Sequence, residues 1–208
     1  MTIFRSLFFT CFTSVVLFSS SVFGEELSSE TKPIKEVKKI MKPSVKIETN
    51  HGDITLELYS EKAPITVKNF LGYVDEKFYD GTVFHRVISN FMVQGGGMEL
   101  KDGRLSEKTT KAPITNESTN GIKNDRGTVA MARRNDLDSA TSQFFINVVD
   151  NDGLNHGGPY GGYAVFAKVT EGMDVVDVIR KVKTKNNGGH GDVPVEEVKI
   201  ISISRVAG

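Results

Sequence analysis

A mostly antiparallel β-barrel, closed on itself and carrying two helices, is the fold the sequence predicts. Three observations predict it. Short runs of alternating apolar and polar side chains recur after residue 43, and glycine-bearing turns punctuate them. Only two stretches place apolar residues at helical spacing. No internal repeat and no second domain interrupt the 208 residues.

The elements follow in order. Val45, Ile47 and Thr49 alternate with Lys46 and Glu48, and Ile54, Leu56 and Leu58 alternate with Thr55 and Glu57. Asn50-His51-Gly52-Asp53 lies between them as a turn, so the pair reads as a β-hairpin. Pro64 suits a first helical position. Val67, Phe70, Leu71 and Val74 then lay one apolar stripe on a core. Further strand-like runs are Gly127 to Arg133, Phe144 to Val148, Tyr163 to Val169 and Val198 to Ser204. A second helix fits Met173 to Val182, with Val175, Val178, Ile179 and Val182 on one side. Asn186 to Gly191 reads as a loop.

The start of the chain has a different character. Met1 to Gly24 carries one charge, Arg5, then an apolar run from Leu7 to Phe18, then small and polar residues. This is the layout of a cleavable secretory signal, 1–24. The alternative is an uncleaved anchor, but the run is short for a membrane span, which needs about 20 residues. Residues 25–43 are charged and poor in large apolar side chains, an exposed linker or arm. The folded domain is expected over 44–208.

Charge and cysteine content exclude several functions. The chain has 26 basic and 26 acidic residues, and losing 1–24 removes only Arg5. A nucleic-acid partner normally calls for a basic excess. The single cysteine, Cys11, lies in the leader, so a mature chain has neither a disulfide nor a catalytic thiol. His51, His85, His156 and His190 are scattered and lack zinc-site spacing. Gly95-Gly96-Gly97 lacks the Lys-Ser/Thr ending of a phosphate loop. Asp136 and Asp138 fall in a polar loop and read as solvated. No feature requires a cofactor.

Two runs carry the chemistry. Phe84-His85-Arg86-Val87-Ile88-Ser89-Asn90-Phe91-Met92-Val93-Gln94-Gly95-Gly96 sets a permanent cation and an amide among apolar side chains and closes with glycines. Ser142-Gln143-Phe144-Phe145-Ile146 again puts an amide beside aromatics. Neither holds a conventional nucleophile. Together they suit a site that grips a neutral, partly apolar substrate through oriented hydrogen bonds. His85 reads as structural, its ring satisfied by backbone.

Those runs, in that order, resemble the cyclophilin family of peptidyl-prolyl cis-trans isomerases. Val129-Ala130-Met131-Ala132-Arg133, Tyr163-Ala164-Val165-Phe166 and Glu171-Gly172-Met173-Asp174 extend the likeness across Ser44 to Val206. Met131-Ala132-Arg133 and Ser139-Ala140-Thr141-Ser142-Gln143-Phe144-Phe145-Ile146-Asn147 most resemble periplasmic cyclophilins of Gram-negative bacteria. The resemblance implies a closed eight-stranded barrel capped by a helix at each end, with the site in an outer groove. It implies Arg86 as the main catalytic side chain, with Gln94 and Phe91 beside it. Met92, Ala132, Arg133, Gln143, Phe145, Leu154 and Tyr163 would bind substrate. Arg133 stands where many eukaryotic members have Asn, and its charge is expected to alter preference for acidic peptides. Gly153 and Tyr163 stand where those members carry Trp and His, which implies weak cyclosporin inhibition.

The expected partners are unfolded or extended proline-containing polypeptides, met by a monomer with no nucleic acid, no cofactor and, after cleavage, no membrane. The expected location is periplasmic, with an extracellular destination as the alternative. The rival class is a non-enzymatic module of the same fold that only binds proline-containing loops.

Overall fold

A computed structural model describes residues 42–206. The expected signal, 1–24, and nearly all of the expected arm, 25–43, lie outside them. No helix among the described residues is long and apolar enough to cross a membrane.

The described residues form twelve strands, two α-helices and two short 3-10 helices. The expected hairpin is β1 (Ser44–Thr49) and β2 (Gly52–Leu58), paired antiparallel in register from Ser44 opposite Glu57 to Thr49 opposite Gly52. Their alternation is realised as predicted, with Val45, Ile47, Ile54, Leu56 and Leu58 all buried. Next come α1 (Pro64–Asp75), β3 (Arg86–Ile88) and β4 (Met92–Gly95). A small hairpin follows, β5 (Met98–Lys101) and β6 (Arg104–Glu107). Then come β7 (Thr128–Met131), β8 (Phe144–Asn147), β9 (Val165–Glu171) and α2 (Met173–Ile179). A second small hairpin, β10 (Thr184–Asn187) and β11 (His190–Pro194), precedes β12 (Ile200–Arg205).

Eight strands form one antiparallel sheet in the order β12-β1-β2-β9-β7-β8-β4-β3. The expected closure of this sheet into a barrel is corrected. β12 and β3 are its two edges, and no continuous ladder joins them. The gap is spanned by the segment before β3, through an isolated Val83–Lys199 bridge and bonds such as Phe84 N–H to Val198 O (2.9 Å). Val83 also bridges Met98, so this segment is divided between two partners, and β3 itself begins only at Arg86. The result is an open, curled sheet with a helix-capped core.

The aromatic part of α1 explains the cap. Phe70 reaches Tyr79, Phe144 and Phe166 at ring-centroid distances of 5.1–5.7 Å. Full burial of a ring of this size contributes about 1.5–3 kcal/mol. In α2 the buried side chains are Val176 and Ile179, whereas Val178 points to solvent. Of the predicted stripe, Ile179 is buried and Val175 and Val182 pack against the same core, while Val178 is exposed and Val176 takes the inward place; the helix ends at Ile179, so Val182 lies beyond it. The predicted loop Asn186 to Gly191 is instead the tip of the β10–β11 hairpin. Its strands are mostly exposed and lack apolar alternation, and its turn uses Gly188 and Gly189 at positive φ.

Candidate active site

Strand alternation separates two faces across the centre of the sheet. One row runs Val87, Val93, Ile146, Val129 and Ala167 through successive cross-strand pairs, and all five belong to the main core. The next row runs Arg86, Gln94, Phe145, Ala130 and Val165 on the opposite face. Phe145, Ala130 and Val165 join Met92 and Leu154 in a second, smaller apolar cluster. One period-2 pattern thus builds the core on one side and a wall with a cation and an amide on the other.

A hollow of about 180 Å³ opens over that row. Arg86, Phe91, Met92, Gln94, Ala132, Arg133, Phe145, Leu154 and Tyr163 line it, nine of the ten residues singled out from the sequence. The tenth, Gln143, lies next to it, its side-chain carbonyl accepting a 2.9 Å hydrogen bond from Gln94 Nε2. A neighbouring hollow of about 310 Å³ shares Gln94, Ala132 and Arg133 and adds Gln143 and Thr141. Ala132 therefore sits between the two, where a larger side chain would narrow both. The floor is apolar and packed, with Phe145, Met92 and Leu154 nearly inaccessible, while Arg86 is partly exposed at the edge strand.

The glycines that close the first run have a packing role. A β-carbon on Gly97 would stand 2.3 Å from Gln143 Cγ, and one on Gly96 would meet Phe144 at 2.8 Å with φ at +82°. The backbone has to approach these side chains closely, and only glycine permits it. The missing β-carbon at Gly97 leaves the Gln143 side chain room in the position where it accepts from Gln94.

Arg133 is placed at the rim. Its guanidinium carbon lies 4.4 Å over the Tyr163 ring, and its nitrogens donate to the carbonyls of Gly162, Tyr160 and Arg134. Tyr163 in turn meets Phe145 edge-on at 5.6 Å. The expected charge effect on substrate preference is thus set against extensive engagement of that guanidinium with the backbone of the segment before β9.

His85 departs from its reading. It is buried, but its Nδ1 has no hydrogen-bond partner, so backbone satisfies only part of the ring. Burial first, then the charges of His190 and Arg86, hold its pKa down to about 4, against an opposing contribution from the Val83 backbone. The ring is neutral at neutral pH.

Sequence reasoning missed an amide network behind the wall. Asn124 and Asn147 are fully buried. Asn147 Nδ2 donates to Asn124 Oδ1 (3.2 Å) and Thr128 Oγ1 (2.9 Å), and Asn124 Nδ2 donates to Leu154 O (3.1 Å). Asn151 Nδ2 donates to Asn147 Oδ1 (2.7 Å) and to Phe91 O (2.9 Å). The network fixes the backbone of two wall residues, Phe91 and Leu154. Its signal in the sequence was Asn147 between Ile146 and Val148, an amide inside an apolar strand that must find buried partners. Asn151→Ala removes one of the two donors to the Phe91 carbonyl, leaving only the longer bond from Val148 N–H (3.2 Å), and takes the partner of the Asn147 side-chain carbonyl away. The expected result is a KM raised about fivefold, equivalent to about 1 kcal/mol, with kcat nearly unchanged in a peptide isomerisation assay.

The family model described as cyclophilin-type peptidyl-prolyl cis-trans isomerase matches residues 44–205. A peptidyl-prolyl cis-trans isomerase of Acinetobacter baylyi is 58% identical over 159 residues, 76% of this chain and 83% of that protein. Peptidyl-prolyl cis-trans isomerase B of Escherichia coli is 56% identical over 163 residues, 77% of this chain and 98% of that protein. Among solved structures, a cyclophilin-type isomerase of Cryptosporidium parvum aligns with a TM-score of 0.66 at 26% identity, covering 81% of this chain and 99% of that one. The same protein was also solved in the presence of the dipeptide Ala-Pro. Likeness of this extent, over the whole region that carries the curled sheet and its outer hollow, makes the chain a member of the cyclophilin-type peptidyl-prolyl cis-trans isomerases, an enzyme that accelerates rotation about Xaa-Pro peptide bonds.

Proposed function

We propose that this isomerase assists the folding of exported proteins, and that Arg86 stabilises the twisted amide while an apolar pocket holds the proline ring. The observation that carries the chemical part is the cross-strand row that sets Arg86, Gln94 and Phe145 side by side beneath one hollow.

Rotation about an Xaa-Pro bond breaks no covalent bond. Its barrier, about 18–20 kcal/mol, comes from resonance that draws the nitrogen lone pair into the carbonyl. A catalyst has to favour the twisted amide over both planar forms. In the twisted form the proline nitrogen regains its lone pair, and a donor aimed there or at the displaced carbonyl lowers the barrier. A guanidinium supplies such donors in a rigid fork without titrating near neutrality. Phe91, Met92, Phe145 and Leu154 take the ring, and Tyr163 closes the rim. Gln94, oriented by Gln143, binds substrate backbone, and Ala132 leaves room for the residue before proline. This chemistry requires no metal, nucleotide or covalent intermediate.

Location rests on the sequence. The basic start, apolar centre and small residues of 1–24 direct the chain to the periplasm, with release before Glu25. There it acts as a monomeric folding helper on extended proline-containing chains, and 25–43 serves as a charged arm ahead of the domain. Uncatalysed isomerisation takes tens to hundreds of seconds and limits the folding of many chains. Refolding of an exported protein limited by that step should accelerate when the purified isomerase is added. An unchanged slow phase would sink the folding role. Recovery of the uncleaved chain from the cytoplasm would sink the location.

A further inference from the structure

Among the described residues Arg86 has one ion-pair partner, Asp192, whose Oδ2 lies 3.9 Å from Arg86 Nε. The side chains are 44% and 47% exposed. Among the described residues no hydrogen bond joins Arg86 to the Gln94 side chain, whose amide nitrogen donates to Gln143 instead. Asp192 belongs to β11, which packs beside β3 where that strand forms the edge of the sheet. The β10–β11 hairpin is itself anchored, with Asn187 Nδ2 donating to Gly103 O at 3.1 Å. Asp192 also has φ at +58°, a left-handed conformation that side chains other than Asn and Asp seldom enter. The backbone is thus turned in an uncommon way at the residue whose carboxylate faces Arg86.

We propose that Asp192 is a positioning residue for the isomerase reaction, holding the Nε edge of Arg86 so that the terminal guanidinium nitrogens face the hollow. This inference rests on the reading of Arg86 as donor to the twisted amide. An arginine stem has many rotamers, and a fixed negative charge on one side reduces the fraction of time its fork points away from substrate. At 3.9 Å the attraction is Coulombic, beyond hydrogen-bond length, and both groups touch solvent. Its effect is therefore modest, about two- to fivefold in rate, and screened by salt.

The test is a double-mutant cycle on the full chain, using an Ala-Pro peptide at low and high salt. Asp192→Asn and Asp192→Gly both suit a left-handed backbone, so either removes the carboxylate without straining the turn. Both are expected to lower kcat about two- to fivefold at low salt, with KM less affected. High salt should bring the wild type down to their level, and in an Arg86→Ala background the loss should vanish. Wild-type kcat in both Asp192 variants, alongside collapse in Arg86→Ala, overturns the role of Asp192 and leaves that of Arg86 standing. An equal loss in the Arg86→Ala background also overturns it, because Asp192 then acts elsewhere. Full activity in Arg86→Ala overturns both readings.

Discussion

Arg86→Ala is expected to lower kcat for an Xaa-Pro peptide by about one to two decades. A charge-assisted hydrogen bond contributes about 1.5–3 kcal/mol, and each 1.36 kcal/mol is about tenfold in rate. Affinity should change little, because in the proposed pose the ring and flanking backbone rest on Phe91, Met92, Phe145, Leu154 and Gln94, which line the hollow, rather than on the guanidinium. Arg86→Lys should recover part of the loss, since an ammonium keeps the charge but not the planar fork. Coupled peptide assays on the three proteins check all of this. A wild-type kcat in Arg86→Ala would remove the charged donor from the mechanism.

The second large effect concerns stability in acid. Burial holds His85 at a pKa of about 4 against an ordinary value of 6.5, and its Nδ1 has no partner. Between those values the unfolded chain takes up a proton that the folded chain refuses. Stability from this residue is therefore fully present above pH 6.5 and lost as pH falls toward 4. The gap corresponds to about 3 kcal/mol. His85→Phe replaces the ring with an apolar one and removes this linkage. Between pH 6.5 and 4, urea denaturation should show the wild type losing about 3 kcal/mol more than the variant. Parallel losses in the two proteins would show that His85 is not the acid-sensitive group.

How much was legible depended on which residues obeyed a period. Val45, Ile47, Ile54, Leu56 and Leu58 announce their burial by alternation, and Val67, Phe70 and Val74 by helical spacing. The two motif runs put Arg86, Gln94 and Phe145 near one another only through resemblance, since which strand pairs with which is not written in periodicity. Closure was overread for a related reason. Short strands and a family likeness suggest a barrel but do not say whether its last seam is laddered, and here Val83 makes only isolated bridges to Met98 and Lys199. The hairpins β5–β6 and β10–β11 were invisible because they bury little and depend on positive-φ turns at Asp102, Gly103, Gly188 and Gly189. Asp192 and the Asn124–Asn147–Asn151 network were missed because the partners of a polar side chain are fixed only by the fold; Asn147, an amide inside an apolar strand, was the one available signal.

The pocket over Phe145 is not the largest apolar hollow among the described residues. One of about 570 Å³ is lined by Lys42, Pro43, Leu58, Tyr59 and Ile122, among others. The measurement that most directly locates the chemistry is a set of isotope-edited NOEs from the proline ring of a bound Ala-Pro peptide to the protein's side chains. Contacts to Phe91, Met92, Phe145 and Leu154 are the predicted result. Contacts to Leu58, Tyr59 and Ile122 instead would contradict the assignment of the site.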